Sequence, residues 1–248
     1  MDMEIISRAL TDTFDNEGRK DINKDLLVPY VAPYLAYVAL ASLPDGLLAV
    51  EWNYALRLLV VPGLLIYFWR AYLPLLGCER PFLSIGVGLV AGLVGTALWV
   101  GLVVLFRSDE LRGVPWSDAA FVLRLLAAGL VVPLFEELLM RGYVLRLAWQ
   151  WDEARKAGYE APFERAFHEQ SINHVPAGSW SLLAVTIATL VFALGHEVPE
   201  WPAALAYGML MALLWIIRKD LISCIVAHGI TNVAIALYVQ TTGQWALW

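Results

Sequence analysis

The sequence predicts an all-α membrane protein, a polytopic bundle of about seven transmembrane helices. Three observations carry that prediction. Of 248 residues, 60% are hydrophobic and 16% charged, an apolar share above that of ordinary soluble domains. Mean hydropathy is +0.63. The charges are confined to the N-terminus and a few loops, which leaves apolar runs near the ~20 residues that a helix needs to cross the hydrocarbon. No period-2 strand pattern and no glycine-rich phosphate loop interrupts them.

Taken in order, residues 1–25 form a polar N-terminal segment with no apolar core of a cleavable signal. Residues 26–117 hold the N-terminal membrane spans: Leu26 to Leu43, Ala55 to Leu76 and Phe82 to Phe106. The third carries Ser84, Gly88, Gly92 and Thr96 at four-residue spacing, a stripe that lets another helix approach closely. Residues 118–248 form a second membrane unit. Its first element, Asp118 to Trp151, is too long for one straight crossing, and Pro133 is expected to kink it. If Gly142 to Trp151 folds back, the bundle gains an eighth span. A polar loop at 152–179 follows, in which His168 and His174 read as solvated side chains. Trp180 to His196, Trp201 to Ile217 and Leu221 to Gln240 close the chain, and the tail TTGQWALW suits an interfacial aromatic anchor.

Counting loop cations over seven crossings gives an orientation. One side collects Arg8, Arg19, Lys20, Lys24, Arg70, Arg80, Arg155, Lys156, Arg165, Arg218 and Lys219; the other collects Arg107 and Arg112. Positive loops stay in the cytoplasm, so the N-terminus is expected inside and the C-terminus outside. The net charge of −6 and the absence of a basic patch give no nucleic-acid footprint. Cys78 and Cys224 form neither a disulfide framework nor a metal-type spacing.

Three polar sites interrupt the second unit. In VVPLFEELLMRGYVLR, Glu137 and Arg141 are i,i+4 neighbours that can pair, while Glu136 points about 100° away and is free to face something else. FALGH ends the fifth span at His196, and HGITN sets His228 and Asn232 on one face of the last span. Each alone can be a packing feature: an ion pair, a buried histidine, an interhelical amide. Together, on three helices of one bundle, they suggest hydrolysis. Ionisable groups in a bilayer are costly and normally face a wet cavity. A carboxylate and an imidazole sharing a water can activate it, and a second histidine with an amide can donate to an oxyanion.

EExxxR (Glu136, Glu137, Arg141), FxxxH (Phe192, His196) and HxxxN (His228, Asn232) resemble, in the same order, the three motifs of the CAAX protease and bacteriocin-processing family. The resemblance covers roughly Asp118 to Gln240. It implies a glutamate-type intramembrane endopeptidase in which Glu136 and His196 activate water while His228 and Asn232 stabilise the oxyanion. It also implies a membrane-associated protein or peptide substrate, the bilayer as surroundings, no cofactor, and a place in a bacterial inner membrane. The C-terminal TTGQWALW further resembles the prenyl protease-related branch found beside exosortase sorting systems.

Rival readings stay open on the residues themselves. His196-Glu197-Val198-Pro199-Glu200 begins like the zinc motif HExxH, but Glu200 stands where its second histidine belongs. His196, His228 and a glutamate could still hold zinc. Cys224 and His228 are spaced for a thiol dyad. A non-catalytic chaperone or scaffold would use the same cluster for binding. Depth poses a further question: at ~1.5 Å per residue, His196 lies far along its span and His228 near the start of the next-but-one, so the two need not meet.

Overall fold

The structure is a computed structural model and describes residues 22–44, 46–75, 77–106 and 113–248. The N-terminal polar segment falls outside these residues up to position 21. Every regular element among the described residues is helical. α1 spans Asn23–Ala41, α2 Val50–Tyr67 and α3 Trp69–Tyr72; α2 and the Trp69–Leu75 piece turn through 69°. α4 spans Pro81–Phe106, α5 Asp118–Lys156, α6 Pro162–His168, α7 Leu182–Leu194, α8 Trp201–Arg218 and α9 Leu221–Thr242.

Contacts sort the helix ends into two groups. At one end Asn23 meets Gln150 and Gln170, Tyr72 donates to the Pro29 carbonyl, and Ser84 donates to Asp220. At the other, Asn53 donates to the Leu40 carbonyl, Ser117 to Glu51, and Phe121 packs on Trp245 and Trp248. The chain thus passes back and forth between an Asn23 end and a Trp248 end. By length and composition four helices can cross a membrane (α4, α5, α8 with the turn before it, and α9), or five if the bent α2 pair is one span. α4 shows what surrounds them: its best window has hydropathy 2.4 yet is only 22% buried, as expected of a lipid-facing helix. α7 has 13 residues, about 20 Å of helix against a hydrocarbon core of about 30 Å. The protein is an integral membrane protein.

The small-residue stripe on α4 is a packing seam, with one change of register. A Cβ on Gly88 would stand 2.8 Å from the Ser223 carbonyl, one on Gly92 2.7 Å from the Ala227 carbonyl, and one on Gly95 2.6 Å from Tyr207. Gly95, not Thr96, continues the seam; the Thr96 hydroxyl bonds back to its own helix at Gly92. Thr231 crosses the seam to the same Gly92 carbonyl at 2.9 Å. These contacts fix the register of α9 one residue before His228. Gly92→Ala forces a methyl against the Ala227 carbonyl and the Ile230 side chain, so it is expected to lower stability by about 1–3 kcal/mol and to reduce activity with it, read by thermal unfolding and a cleavage assay of the purified variant.

Two sequence expectations about α5 and its sequel are corrected. Gly142 to Trp151 does not fold back: the helix runs unbroken to Lys156, so no eighth span arises there. Pro133, expected to kink the helix, lies in a continuous one just after a local widening. A π-turn over Ala127–Val131 precedes it, with the Val132 N–H reaching the Ala127 carbonyl, and a second covers Leu138–Val144. Wider turns relieve the clash of a proline ring with the preceding carbonyls.

The segment 152–179 is exposed over most of its length but is largely helical, a folded cap rather than an irregular loop. Asp152 to Lys156 still belong to α5, α6 follows, and a 3-10 turn covers Ile172–His174. Asn23 organises it: its amide donates to Gln150 at 2.6 Å and to the Ala166 carbonyl at 2.7 Å, and accepts from the Ile172 N–H at 2.6 Å. Tyr143 donates to the Asn23 carbonyl, and Arg146 to that of Ile172. Buried polar groups that satisfy one another hold a chain that hydropathy alone assigns to water. His168 and His174 are exposed on it.

Candidate active site

α5 presents the carboxylates just after its first π-turn. Glu137 is fully buried and paired with Arg141, Nη1 lying 3.1 Å from Oε2 and donating at 3.2 Å to Oε1. Arg141 is 2% exposed; its Nη2 donates to the Gly208 carbonyl of α8 at 3.1 Å, and its guanidinium lies 5.9 Å from the Phe192 ring centroid. The i,i+4 pairing expected from sequence is therefore present, and it ties three helices together. Glu136 faces elsewhere and is partly exposed.

His228, from α9, sits between the two carboxylates. Its Nδ1 is 2.9 Å from Glu137 Oε1, and its Nε2 is 3.8 Å from Glu136 Oε2. The first is a hydrogen bond; the second leaves a gap wide enough to ask for a bridging water. A carboxylate on Nδ1 fixes that nitrogen as the donor and orients the ring, as a partner at one ring nitrogen generally does.

His196 arrives from the other side. α7 stops at Leu194, and His196 stands in the turn beyond, Nδ1 3.0 Å from the Phe192 carbonyl. A carbonyl only accepts, so Nδ1 carries the proton and Nε2 is left with its lone pair. The two histidines meet on one ring: Phe192 lies 4.7 Å from His196 and 6.2 Å from His228 by centroids. The mismatch of depth is resolved because α7 is short, which recesses its C-terminal turn into the bundle. Both histidines line one cavity of about 290 Å³, with Asn232 beside them.

Asn232 has a second attachment. Its Nδ2 donates to the Ala128 carbonyl at 2.8 Å. In the π-turn the Val132 N–H goes to Ala127, and the next residue, Pro133, has no N–H to give. The Ala128 carbonyl is thus without a helical donor, and Asn232 supplies one. An amide has two N–H groups, so one remains for the cavity. Gly229 makes the approach feasible: a Cβ there would stand 2.6 Å from the Gly129 carbonyl.

Several contributors have no signal in the sequence. Tyr34 of α1 lies within electrostatic reach of Glu136, and its hydroxyl would stand 2.9 Å from a Cβ on Gly195. Tyr207 of α8 donates to Thr231 at 3.1 Å and packs edge-on against His228. Trp99 of α4 lies 5.1 Å from His196 by centroids. All three are aromatic residues in apolar helices, where aromatics are ordinary.

The rival chemistries find less geometry. The helix ends before His196 and a 3-10 turn covers Val198–Glu200, so the HExxH-like string has no helix to present it. Among the described residues no group of three or more His, Cys, Asp or Glu is placed to hold a metal ion. The Cys224 thiol is buried and directed to the Met211 and Asp220 carbonyls, both at 3.8 Å, not to His228.

Residues 118–234 match the family model described as type II CAAX prenyl endopeptidase, Rce1-like. That stretch is similar to the CAAX protease and bacteriocin-processing family. The match spans all three motifs and begins where α5 begins. No curated protein and no solved structure matches the chain. An Rce1-like domain in an integral membrane protein indicates a protease acting at the bilayer on a protein substrate.

Proposed function

We propose that the protein is a glutamate-type intramembrane endopeptidase that hydrolyses a peptide bond of a membrane-associated protein. One observation carries this: His228 stands between Glu136 and Glu137 and lines one cavity with His196 and Asn232. In this mechanism a water near Glu136 loses a proton to that carboxylate, helped by the bare Nε2 of His196, as its oxygen attacks the scissile carbonyl carbon. The carbonyl π bond opens to an oxyanion, which receives hydrogen bonds from the second Asn232 N–H and, when both ring nitrogens carry a proton, from His228 Nε2, while Nδ1 stays on Glu137. The C–N bond then breaks, and the proton held by Glu136 passes to the leaving nitrogen. Glu137 and Arg141 do not touch substrate; they hold His228. The test is cleavage of a membrane-anchored peptide by purified protein in lipid, wild type against Glu136→Gln, with loss of cleavage expected.

The reaction so written needs no metal. Dialysis against a strong chelator is expected to leave the cleavage rate unchanged. Activity lost on chelation and restored by zinc would instead make His196, His228 and a glutamate the ligands of a catalytic ion.

A further inference from the structure

The side from which substrate reaches the site follows from where the cavity opens and where the cations lie. Arg124, Tyr37 and Trp248 line the cavity toward the Trp248 end, above His196 and His228. Arg124 is held there between two indoles, 4.7 Å from the Trp116 ring and 4.8 Å from that of Trp248. No residue from the Asn23 end lines the cavity. Beneath the Glu137–Arg141 pair the bundle is closed by the buried Arg146 on Trp215 (5.2 Å), by Gln150 and Asn23, and by the cap of α6. Among the described residues the cavity therefore opens toward the Trp248 end.

The cations mark the opposite end. Lys24, Arg70, Arg80, Arg155, Lys156, Arg165, Arg218 and Lys219 all lie at or next to helix termini of the Asn23 end. Near the Trp248 end the described helices carry Arg57 and Arg124, both drawn inward onto aromatic rings. Arg107 and Arg112 lie outside the described residues, in the sequence between α4 and α5. Juxtamembrane Lys and Arg are retained in the cytoplasm.

We infer that the active-site cavity opens on the extracytoplasmic face and takes a segment of an exported, membrane-anchored polypeptide. This rests on the proteolytic reading for its substrate but not for its geometry. A cytoplasmic lipidated tail, the substrate that the family's description suggests, would face the sealed end.

Thiol accessibility tests it without any cleavage assay. In a Cys78→Ser background, with the buried Cys224 left in place, Ala128→Cys puts a thiol on the cavity wall and Ala177→Cys one at the opposite end. Ile235→Cys is a second cavity probe on α9, should the first perturb the π-turn. Spheroplasts of a bacterial host are treated with a small, anionic, membrane-impermeant methanethiosulfonate. The cavity thiols are expected to react in intact spheroplasts, and Ala177→Cys only after lysis. Cavity thiols that react only after lysis, or not at all, overturn the inference. An inactive protein with the expected labelling pattern would count against the proteolytic reading alone.

Discussion

Glu136→Gln is expected to abolish peptide cleavage while leaving a folded protein. Gln keeps the shape and can still hydrogen-bond a water, but it cannot accept its proton. Loss of a general base typically costs 100- to 10,000-fold, so residual turnover should fall within about that range. The fold should survive because Glu136 makes no close ion pair of the kind Glu137 makes with Arg141; His228 Nε2 stands 3.8 Å from its Oε2. Glu137→Gln should behave differently, since that carboxylate is fully buried and holds both Arg141 and His228. His196→Ala should match Glu136→Gln, because groups acting as one unit fail together. Wild-type turnover by Glu136→Gln on a cleavable membrane-anchored peptide would sink the mechanism. Cleavage and a thermal melt, run side by side, separate a chemical loss from an unfolded one.

Asn232→Ala tests a residue with two tasks. Loss of one oxyanion donor typically costs about 100- to 1,000-fold in kcat. Loss of the bond to the Ala128 carbonyl leaves that carbonyl unsatisfied, a penalty of about 1–3 kcal/mol when buried. A residual rate together with a lowered melting temperature is the expected result. A lowered rate at an unchanged melting temperature would argue that the Ala128 contact is incidental.

The parts of the fold legible in the sequence are those in which charge or small size conflicts with an apolar run. Glu137 with Arg141, the three motif sites and the α4 stripe all stand out in this way, because lipid tolerates a charge or a gap only for a reason. The helical cap at 152–179 is illegible in the sequence for the converse reason. Its polar residues look solvated in a hydropathy profile, and only the fold discloses that Asn23, over a hundred residues away, bonds the backbone of Ala166, Gln170 and Ile172. The π-turns were equally hidden. Pro133 marks a missing donor, but whether a helix kinks or widens depends on what can fill the freed carbonyl. Here a side chain of α9 fills it, and that is tertiary information. The pairing of His228 with Glu137 belongs to the same class: sequence order names the groups but not which nitrogen faces which oxygen. The tail's tryptophans pack on Phe121 and Arg124 at the cavity's open end, a role that their sequence neighbourhood did not disclose.

Arg141→Ala is expected to damage stability more than any substitution at the cavity surface. The guanidinium is almost fully buried, pairs with a fully buried carboxylate, and donates to the Gly208 carbonyl. Removing it leaves Glu137 with His228 alone and Gly208 without that donor. Breaking a buried pair on one side typically costs about 3–5 kcal/mol, because the surviving charge is left uncompensated. Folded yield and melting temperature should both fall, and activity with them, since Glu137 is what orients His228. Arg141→Lys should recover part of the stability, as a point charge replaces the pairing but not the fork that reaches both Glu137 and Gly208. The decisive variant changes both partners. Glu137→Gln with Arg141→Met removes the charges together, so the double variant should be more stable than Arg141→Ala. It should still be inactive, because His228 has lost the carboxylate that holds its Nδ1. A double variant as unstable as Arg141→Ala would mean that the Gly208 contact, and not the ion pair, is what the arginine provides.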